Sequence, residues 1–253
     1  MDREAAQKND DILYGSNSLR EALRQGRQIN RVWIARDKND RITAEIIGRC
    51  HEKNIPYSKV DKAALDRICG NVAHQGFVAR VSPKEYSSWR QMLTKAAESG
   101  QAPLIIMLAD VEDPQNLGAA LRSAEALGAH GIVLPKHRAA PLTFSTANAS
   151  AGALEYVMVD RVTNLSRCMD EMKEEGLWVL GAAVTGGQPV YDADLTIPLC
   201  IVVGGESKGL SPLLLRKCDL LISIPMSGEI NSLNVSAALA AILSETCRQR
   251  SRN

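Results

Sequence analysis

The sequence predicts an α/β protein whose larger, C-terminal domain is built on a mostly parallel sheet. From residue 103 onward, six short apolar runs alternate with helical patterns, which is typical of parallel sheets flanked by helices. The runs are hydrophobic throughout, as expected for strands that are buried on both faces. Residues 12–80 carry a shorter set of alternating elements, which predicts a small α/β domain before the large one.

The predicted strands of the large domain lie at residues 104–111, 131–135, 155–160, 178–184, 199–203 and 220–224. Its predicted helices occupy residues 114–127, 146–151, 165–175, 212–217 and 233–248. In the small domain, helices are predicted at residues 18–25, 43–53 and 63–68, and strands at 31–35 and 56–60, with residues 76–81 as the last segment of the domain. Residues 83–102 lack a strong apolar stripe and are bounded by Pro83 and Gly100, which predicts a partly helical linker. The predicted domains are residues 11–82 and 103–253, with the linker at 83–102.

The composition is that of a soluble globular protein, with 253 residues, 45% hydrophobic and 23% charged. No apolar run approaches the roughly 20 residues that a membrane-spanning helix needs, and the N-terminus lacks a signal-peptide core. We therefore expect a cytoplasmic protein without a membrane partner. The six cysteines and four histidines show no metal-ligand spacing, so no metal site is predicted.

Charge is distributed unevenly along the chain. Residues 1–100 contain 18 Lys and Arg against 13 Asp and Glu, whereas residues 101–253 contain 12 against 16. A basic N-terminal half indicates either a polyanion-binding module or an ordinary solvated surface. Arg20, Arg24 and Arg27 recur at helical spacing and form a basic stripe that is a candidate RNA-binding surface. Four ring side chains fit either base stacking or the core of this domain: Trp33, Tyr57, His74 and Phe77.

Polar segments follow three of the predicted strands, where ligands of open α/β sheets bind. The first contains Asn116 and, six residues later, Arg122, which stand about 120° apart on a helix. Both side chains could border one cleft. Alternatively, Asn116 is only a polar residue of the first helical turn and Arg122 only a surface charge. In the second segment, residues 204–209, a glycine-rich turn allows a ligand to approach the backbone. That turn matches neither the usual dinucleotide nor the usual phosphate-binding fingerprint.

The third polar segment, residues 224–236, leads into the last helix. Ser232 fits either an N-cap or a site residue, while Asn234 in a first turn is less expected from packing alone. Residues 237–241 are mostly alanine, which favours close packing against a neighbouring element or a second subunit.

Together these segments resemble the SpoU/TrmH family of RNA ribose 2′-O-methyltransferases. The resemblance rests on the pair Asn116 and Arg122, the turn from Gly205 and Glu206 to Gly209, and the sequence IPMSG followed by SLNVS. It covers roughly residues 104–245. Residues 12–80 are similar to the RNA-binding domain of the ribosomal-RNA branch of that family, including Tyr14-Gly15 and His74-Gln75-Gly76.

The resemblance implies a deep trefoil knot in the C-terminal domain, a homodimer, and S-adenosylmethionine as cofactor. The catalytic set that it implies is Asn116, Arg122, Glu206, Ser232 and Asn234. The cofactor contacts that it implies are Thr185, Gly204, Gly205, Ile224, Met226 and Leu233. The implied substrate is a guanosine in 23S rRNA. The alternatives are a tRNA substrate and a catalytically silent RNA-binding or ribosome-assembly protein; a nucleotide-dependent oxidoreductase lacks its fingerprint.

The family mechanism gives Arg122 the task of activating the ribose hydroxyl for attack on the sulfonium methyl group. Because a guanidinium is normally protonated at all accessible pH values, binding of the target phosphate is the alternative role for this side chain. Asn116 would position Arg122 or the ribose, Glu206 would orient neighbouring groups, and Ser232 and Asn234 would organise the loop between cofactor and substrate.

Overall fold

The computed structural model describes residues 11–70, 72–205, 209–229 and 232–251, and the chain divides into two compact units. Unit 1 is Met1–Glu85 with Pro141–Tyr156, and unit 2 is Tyr86–Ala140 with Val157–Asn253. This division differs from the predicted domains in two places. Most of the predicted linker belongs to unit 2, and Pro141–Tyr156, predicted within the large domain, belongs to unit 1.

The elements follow one another along the chain as strands β1–β11 and helices α1–α9. The strands are β1 Ile12–Tyr14, β2 Ile29–Ala35, β3 Tyr57–Val60, β4 Phe77–Val81, β5 Leu104–Ala109, β6 Gly131–Pro135, β7 Met158–Val162, β8 Trp178–Ala182, β9 Gln188–Pro189, β10 Leu199–Gly204 and β11 Leu220–Ser223. The helices are α1 Ser16–Arg24, α2 Arg41–Glu52, α3 Lys62–Cys69, α4 Trp89–Glu98, α5 Pro114–Ala126, α6 Phe144–Ala149, α7 Leu165–Glu174, α8 Pro212–Lys217 and α9 Val235–Arg250.

Unit 1 contains a four-stranded sheet in the order β1-β4-β2-β3. Strand β4 is antiparallel to both of its neighbours, and β2 and β3 are parallel. Two of the ring side chains belong to the interior: Phe77 is 1% exposed, and the buried His74 ring lies 3.1 Å from an Asp66 carboxylate oxygen. The core interpretation is therefore the right one for Phe77 and His74. Strand β1 was not predicted because its three residues are too few to show a period.

Unit 2 contains a seven-stranded sheet in the order β7-β6-β5-β10-β8-β11-β9. Every strand pair that the structure describes in this sheet is parallel, which confirms the predicted parallel sheet. The central strand β5 is buried along its whole length, as its continuous hydrophobicity predicts. The prediction of a strand at 155–160 was wrong at its start, because Ala153–Glu155 forms a 3₁₀ turn and β7 begins at Met158.

Helix α4 lies inside the segment that was predicted as a linker. Its buried residues are Trp89, Met92 and Ala96. Trp89 and Met92 pack in the main hydrophobic cluster of unit 2, which also contains Met107 and Val133. Helices α7 and α8 contribute to the same cluster, whereas α5 and α9 pack against each other. The sequence did not reveal the apolar stripe of α4 because one of its three members is an alanine, so α4 was assigned to a connection although it belongs to the core.

Burial keeps several cysteine thiols protonated. It raises the pKa of Cys168 to about 12 and that of Cys50 to about 11, and both side chains pack as small hydrophobic groups. Within the described ranges, no cluster of His, Cys, Asp and Glu has the arrangement of a metal site. No helix in those ranges is both long and apolar enough to span a membrane.

Candidate active site

A cleft opens in unit 2 beyond the carboxyl ends of three neighbouring strands, β8, β10 and β11. It contains about 720 Å³ of empty space, part of which is open to solvent. Most lining groups are apolar or glycine: Ala182, Ala183, Val184, Val203, Gly204, Gly205, Gly209, Ile222, Ile224, Met226, Ser232, Leu233, Val235, Ala238 and Ile242. A largely apolar cleft with a few polar groups is typical of a small-molecule site.

Two consecutive glycines allow the backbone to form one wall of this cleft. A Cβ on Gly204 would lie 2.2 Å from the carbonyl carbon of Gly209, because the chain folds back and the Gly209 amide donates to the Gly205 carbonyl at 2.9 Å. A Cβ on Gly205 would lie 2.3 Å from the carbonyl oxygen of Asp110. Any side chain at these positions would force the backbone apart, so the turn requires glycine.

Two asparagines connect the first and third polar segments. The Nδ2 group of Asn234 donates to Oδ1 of Asn116 at 2.9 Å, across 118 positions of sequence. Oδ1 of Asn234 also accepts hydrogen bonds from the Ser236 and Ala237 amides, so Asn234 is the N-cap of α9. Helix α9 therefore begins at Val235, and the N-cap role considered for Ser232 belongs to Asn234 instead.

The remaining predicted catalytic residues are placed differently from one another. Ser232 is exposed and lines the cleft. Arg122 is exposed on α5, two turns beyond its N-terminus, and within the described part of the chain it is not among the residues that line the cleft. Glu206 lies outside the described residues.

Five of the six predicted cofactor contacts line the cleft, namely Gly204, Gly205, Ile224, Met226 and Leu233. Thr185 does not line it among the described residues, although its neighbour Val184 does. Sequence reasoning missed the contribution of α9, because Ala238 was assigned only to close packing. The small size of that side chain was the available signal, since it leaves room beside the helix.

The predicted basic stripe of unit 1 is paired with carboxylates. Arg20 lies 2.9 Å from Glu45, and Arg24 lies 3.0 Å from Glu21. A hydrogen bond from Arg20 lowers the pKa of the Glu45 carboxyl. Arg20 and Arg24 lie on α1 and Arg27 follows its end, and the three side chains differ in burial.

Arg27, the third member of the predicted basic stripe, follows the end of α1 and has a buried partner. Its side chain is 9% exposed and lies 2.6 Å from the buried carboxylate of Glu155, and its Nε donates to the Ser82 carbonyl at 3.1 Å. Sequence spacing could not show this, because Glu155 is 128 positions away.

Comparison with known proteins adds independent information. Residues 103–244 match the model of the SpoU rRNA Methylase family, and residues 12–87 match a model described as RNA 2′-O ribose methyltransferase substrate binding. A Bacillus subtilis protein named as a TrmH-family tRNA/rRNA methyltransferase, YacO, is 38% identical over 240 residues, which are 95% of this chain and 96% of that protein.

Two solved structures extend the comparison to the fold. The SpoU methyltransferase AviRb from Streptomyces viridochromogenes, solved with the cofactor AdoMet, superposes with a TM-score of 0.82 at 23% identity, over 100% of this chain and 95% of that one. A TrmH/SpoU tRNA-modifying enzyme of A. aeolicus superposes with a TM-score of 0.55 at 27% identity, over 64% of this chain and 84% of that one.

Proposed function

The chain belongs to the SpoU rRNA methylase family, and from this membership we propose that it methylates the ribose 2′-hydroxyl of a guanosine in 23S rRNA. The enzyme class is that of RNA ribose 2′-O-methyltransferases, and the cofactor is S-adenosylmethionine. The observation that carries the proposal is the hydrogen bond between Asn116 and Asn234. It joins the first and third polar segments beside a cleft that Ser232 and Leu233 line.

The cleft fits the cofactor on chemical grounds. Its apolar wall, which includes Ile224, Met226 and Leu233, suits an adenine ring and a methylene chain. With no side chain at Gly204 or Gly205, this wall of the cleft is bare backbone, which a bound molecule can approach closely. When bound, S-adenosylmethionine supplies a methyl group that its sulfonium centre already makes electrophilic.

The residues of this chain are proposed to position the ribose and to manage the proton of its hydroxyl. Arg122 would bind the target phosphate or activate the hydroxyl, and Asn116 would hold the ribose or Arg122 in place. Ser232 and Asn234 would organise the loop that separates the two reactants, while Glu206 and Thr185 remain predicted contacts. Holding two reactants in the right geometry is itself worth several kcal/mol, so positioning is the main contribution expected from these side chains.

The choice of ribosomal RNA rests on the N-terminal part of the chain. Residues 12–87 match a substrate-binding model, whereas the tRNA-modifying enzyme of A. aeolicus superposes on only 64% of the chain. A tRNA substrate is the alternative, since the Bacillus subtilis relative is named for both RNA classes. Either substrate is encountered in the cytoplasm, which stays our prediction for the location of the protein.

Two further features of the family are proposed for this chain. The order of strands supports a trefoil knot, because β10 lies between β5 and β8, β11 follows on the far side of β8, and α9 then packs on α5 and β10. A crystal structure whose traced chain could be pulled straight from both ends would contradict the knot.

For the homodimer, light scattering should give a mass of two 27.5 kDa chains, and a monomer mass would contradict it.

The experiment that tests the function is tritium transfer from labelled S-adenosylmethionine to purified 23S rRNA and to bulk tRNA, followed by nuclease mapping. We expect one 2′-O-methylated guanosine in 23S rRNA, and we expect Arg122→Ala to abolish its formation. Label in tRNA alone would retain the chemistry but reject the substrate. Cofactor binding without transfer to either RNA would point to a structured precursor as the substrate. The absence of cofactor binding in calorimetry would favour a silent RNA-binding protein instead.

A further inference from the structure

A second groove of unit 2 lies beyond the carboxyl end of β6 and along the edge strand β7. It contains about 1010 Å³ of empty space, much of it open to solvent, and it is lined by Tyr86, Ser87, Ser88, Lys136, His137, Asp160 and Arg161. Lys136 and His137 are exposed, and 39% of the Tyr86 surface is accessible. The groove therefore combines cationic groups with an accessible aromatic ring.

The cationic groups of this groove are available to an anion. Within the described residues, neither Lys136 nor Arg161 forms an ion pair. The carboxylate of Asp160 already accepts a hydrogen bond from the Trp89 amide at 2.8 Å. Arg161 donates one N–H to the Lys136 carbonyl at 2.5 Å, and a guanidinium has four further donors.

The aromatic ring is held by the same arginine. The guanidinium carbon of Arg161 lies 5.3 Å from the centre of the Tyr86 ring, a cation–π arrangement that fixes the orientation of both groups. The amide of Ser87 donates to the Val159 carbonyl at 2.8 Å, which anchors the Tyr86 segment along β7. An oriented aromatic ring between cations is the arrangement by which proteins bind single-stranded nucleic acid.

The loop after β6, which supplies Lys136 and His137 to the groove, also contacts the segment beside the candidate active site. Arg138 follows Lys136 and His137 in the loop after β6 and lies 2.9 Å from the Asp110 carboxylate. The Asp110 carbonyl in turn lies against Gly205, which lines the cofactor cleft. Neighbouring strands are about 4.8 Å apart, so the two or three strand spacings from β10 to the groove correspond to roughly 10–15 Å. A few nucleotides of RNA can span this distance.

We propose that this groove binds the single-stranded RNA that flanks the methylated nucleotide, with Lys136 on a phosphate and Tyr86, supported by Arg161, on a base. This inference rests on the proposed function for the identity of the RNA. It assigns part of substrate recognition to the catalytic unit itself, in addition to any contribution from unit 1.

The test measures binding of the full chain to a fluorescein-labelled, mixed-sequence single-stranded RNA of about 12 nucleotides. Lys136→Glu should weaken binding about tenfold. It should also reduce the slope of log K against log salt concentration by about one or more, because at least one phosphate contact is lost. Tyr86→Ala should also weaken binding about tenfold, and Tyr86→Phe should retain it, because the ring is what stacks. The matched control is Lys95→Glu. Lys95 is exposed in the same unit, and its charge contributes to lowering the pKa of His130, which precedes β6 and so lies at the amino end of that strand, away from the groove.

Equal binding by Lys136→Glu, Tyr86→Ala and the Lys95→Glu control would overturn the proposal. An effect of Lys136→Glu on RNA and on polyglutamate alike, with none from Tyr86→Ala, would also overturn it, because the surface would then attract any polyanion. Since this assay requires no methyl transfer, its result is independent of the proposed function. If the parent protein methylates 23S rRNA, both groove variants should raise KM and leave kcat unchanged.

Discussion

Two basic regions of the molecule differ in what their charges contact. Along α1 of unit 1, Arg20 and Arg24 lie against carboxylates, and Arg27 is buried with Glu155. At the carboxyl edge of the unit 2 sheet, Lys136 and Arg161 form no ion pair within the described residues. The arginines of the first region are paired with carboxylates of the protein, whereas the cations of the second region have no carboxylate partner in the described part of the chain and can bind an anion. Counting basic residues therefore does not locate an RNA-binding surface.

The largest expected effect is on the buried pair of unit 1. Arg27→Ala should lower the free energy of unfolding by about 3–5 kcal/mol, because it leaves the Glu155 carboxylate buried without its partner. Lys84, which donates to the Glu155 carbonyl, offsets part of this loss. Urea unfolding measures the effect, and Arg24→Ala is the control, with little change expected for its exposed pair. Equal losses in both variants would remove the distinction between buried and exposed arginines on α1.

The next effect concerns the backbone wall of the cleft. Gly205→Ala places a Cβ 2.3 Å from the carbonyl oxygen of Asp110, so the turn must shift. A shift of about 1 Å in the groups that hold the reactants lowers the rate about a hundredfold. Calorimetry with S-adenosylmethionine should show lost binding. Gly48→Ala controls for a general effect of losing glycine, since no atom lies within 4 Å of the added group and the Gly48 backbone is not in the left-handed region. Normal cofactor affinity in Gly205→Ala would reject the cleft as the cofactor site.

A smaller effect is expected at Asn234, which caps α9 and also donates a hydrogen bond to Asn116. Asn234→Ala should destabilise the protein by about 1 kcal/mol, because α9 loses its cap. Asn234→Ser retains a capping oxygen but is too short to reach Asn116. We expect the serine variant to unfold like the parent yet to transfer methyl groups more slowly. If its kcat equals that of the parent, the bridge to Asn116 has no part in catalysis.

The smallest effect is the pH dependence of stability that comes from the half-buried pair of Arg20 and Glu45 in unit 1. Arg20 lowers the pKa of Glu45 below its ordinary value of 4.5, so the pair contributes stability above that pH and loses it as the pH falls through the folded-state pKa. Glu45→Gln should therefore flatten the stability profile slightly in the acidic range, as measured by thermal unfolding from pH 7 to pH 3. A profile unchanged from the parent would mean that solvent screens the pair completely.

The features that were predictable depend on neighbours in sequence. Continuous apolar runs predicted the parallel strands, and glycine at 204 and 205 predicted a turn that a ligand can approach. Five of the six cofactor contacts that the family resemblance predicts line one cleft. Helix α4 was assigned to a linker because its buried stripe is only three residues long and includes an alanine.

The sequence by itself determined where most strands and helices form, which turns need glycine, and which polar segments follow the strands. These properties depend on residues within about one helical turn or one strand of each other, where the covalent chain already fixes the distances. Only the tertiary structure decided that Asn234 reaches Asn116 and that Arg27 pairs with Glu155 rather than with a ligand. Such contacts depend on the path of the chain across more than a hundred residues, and no local pattern encodes that path.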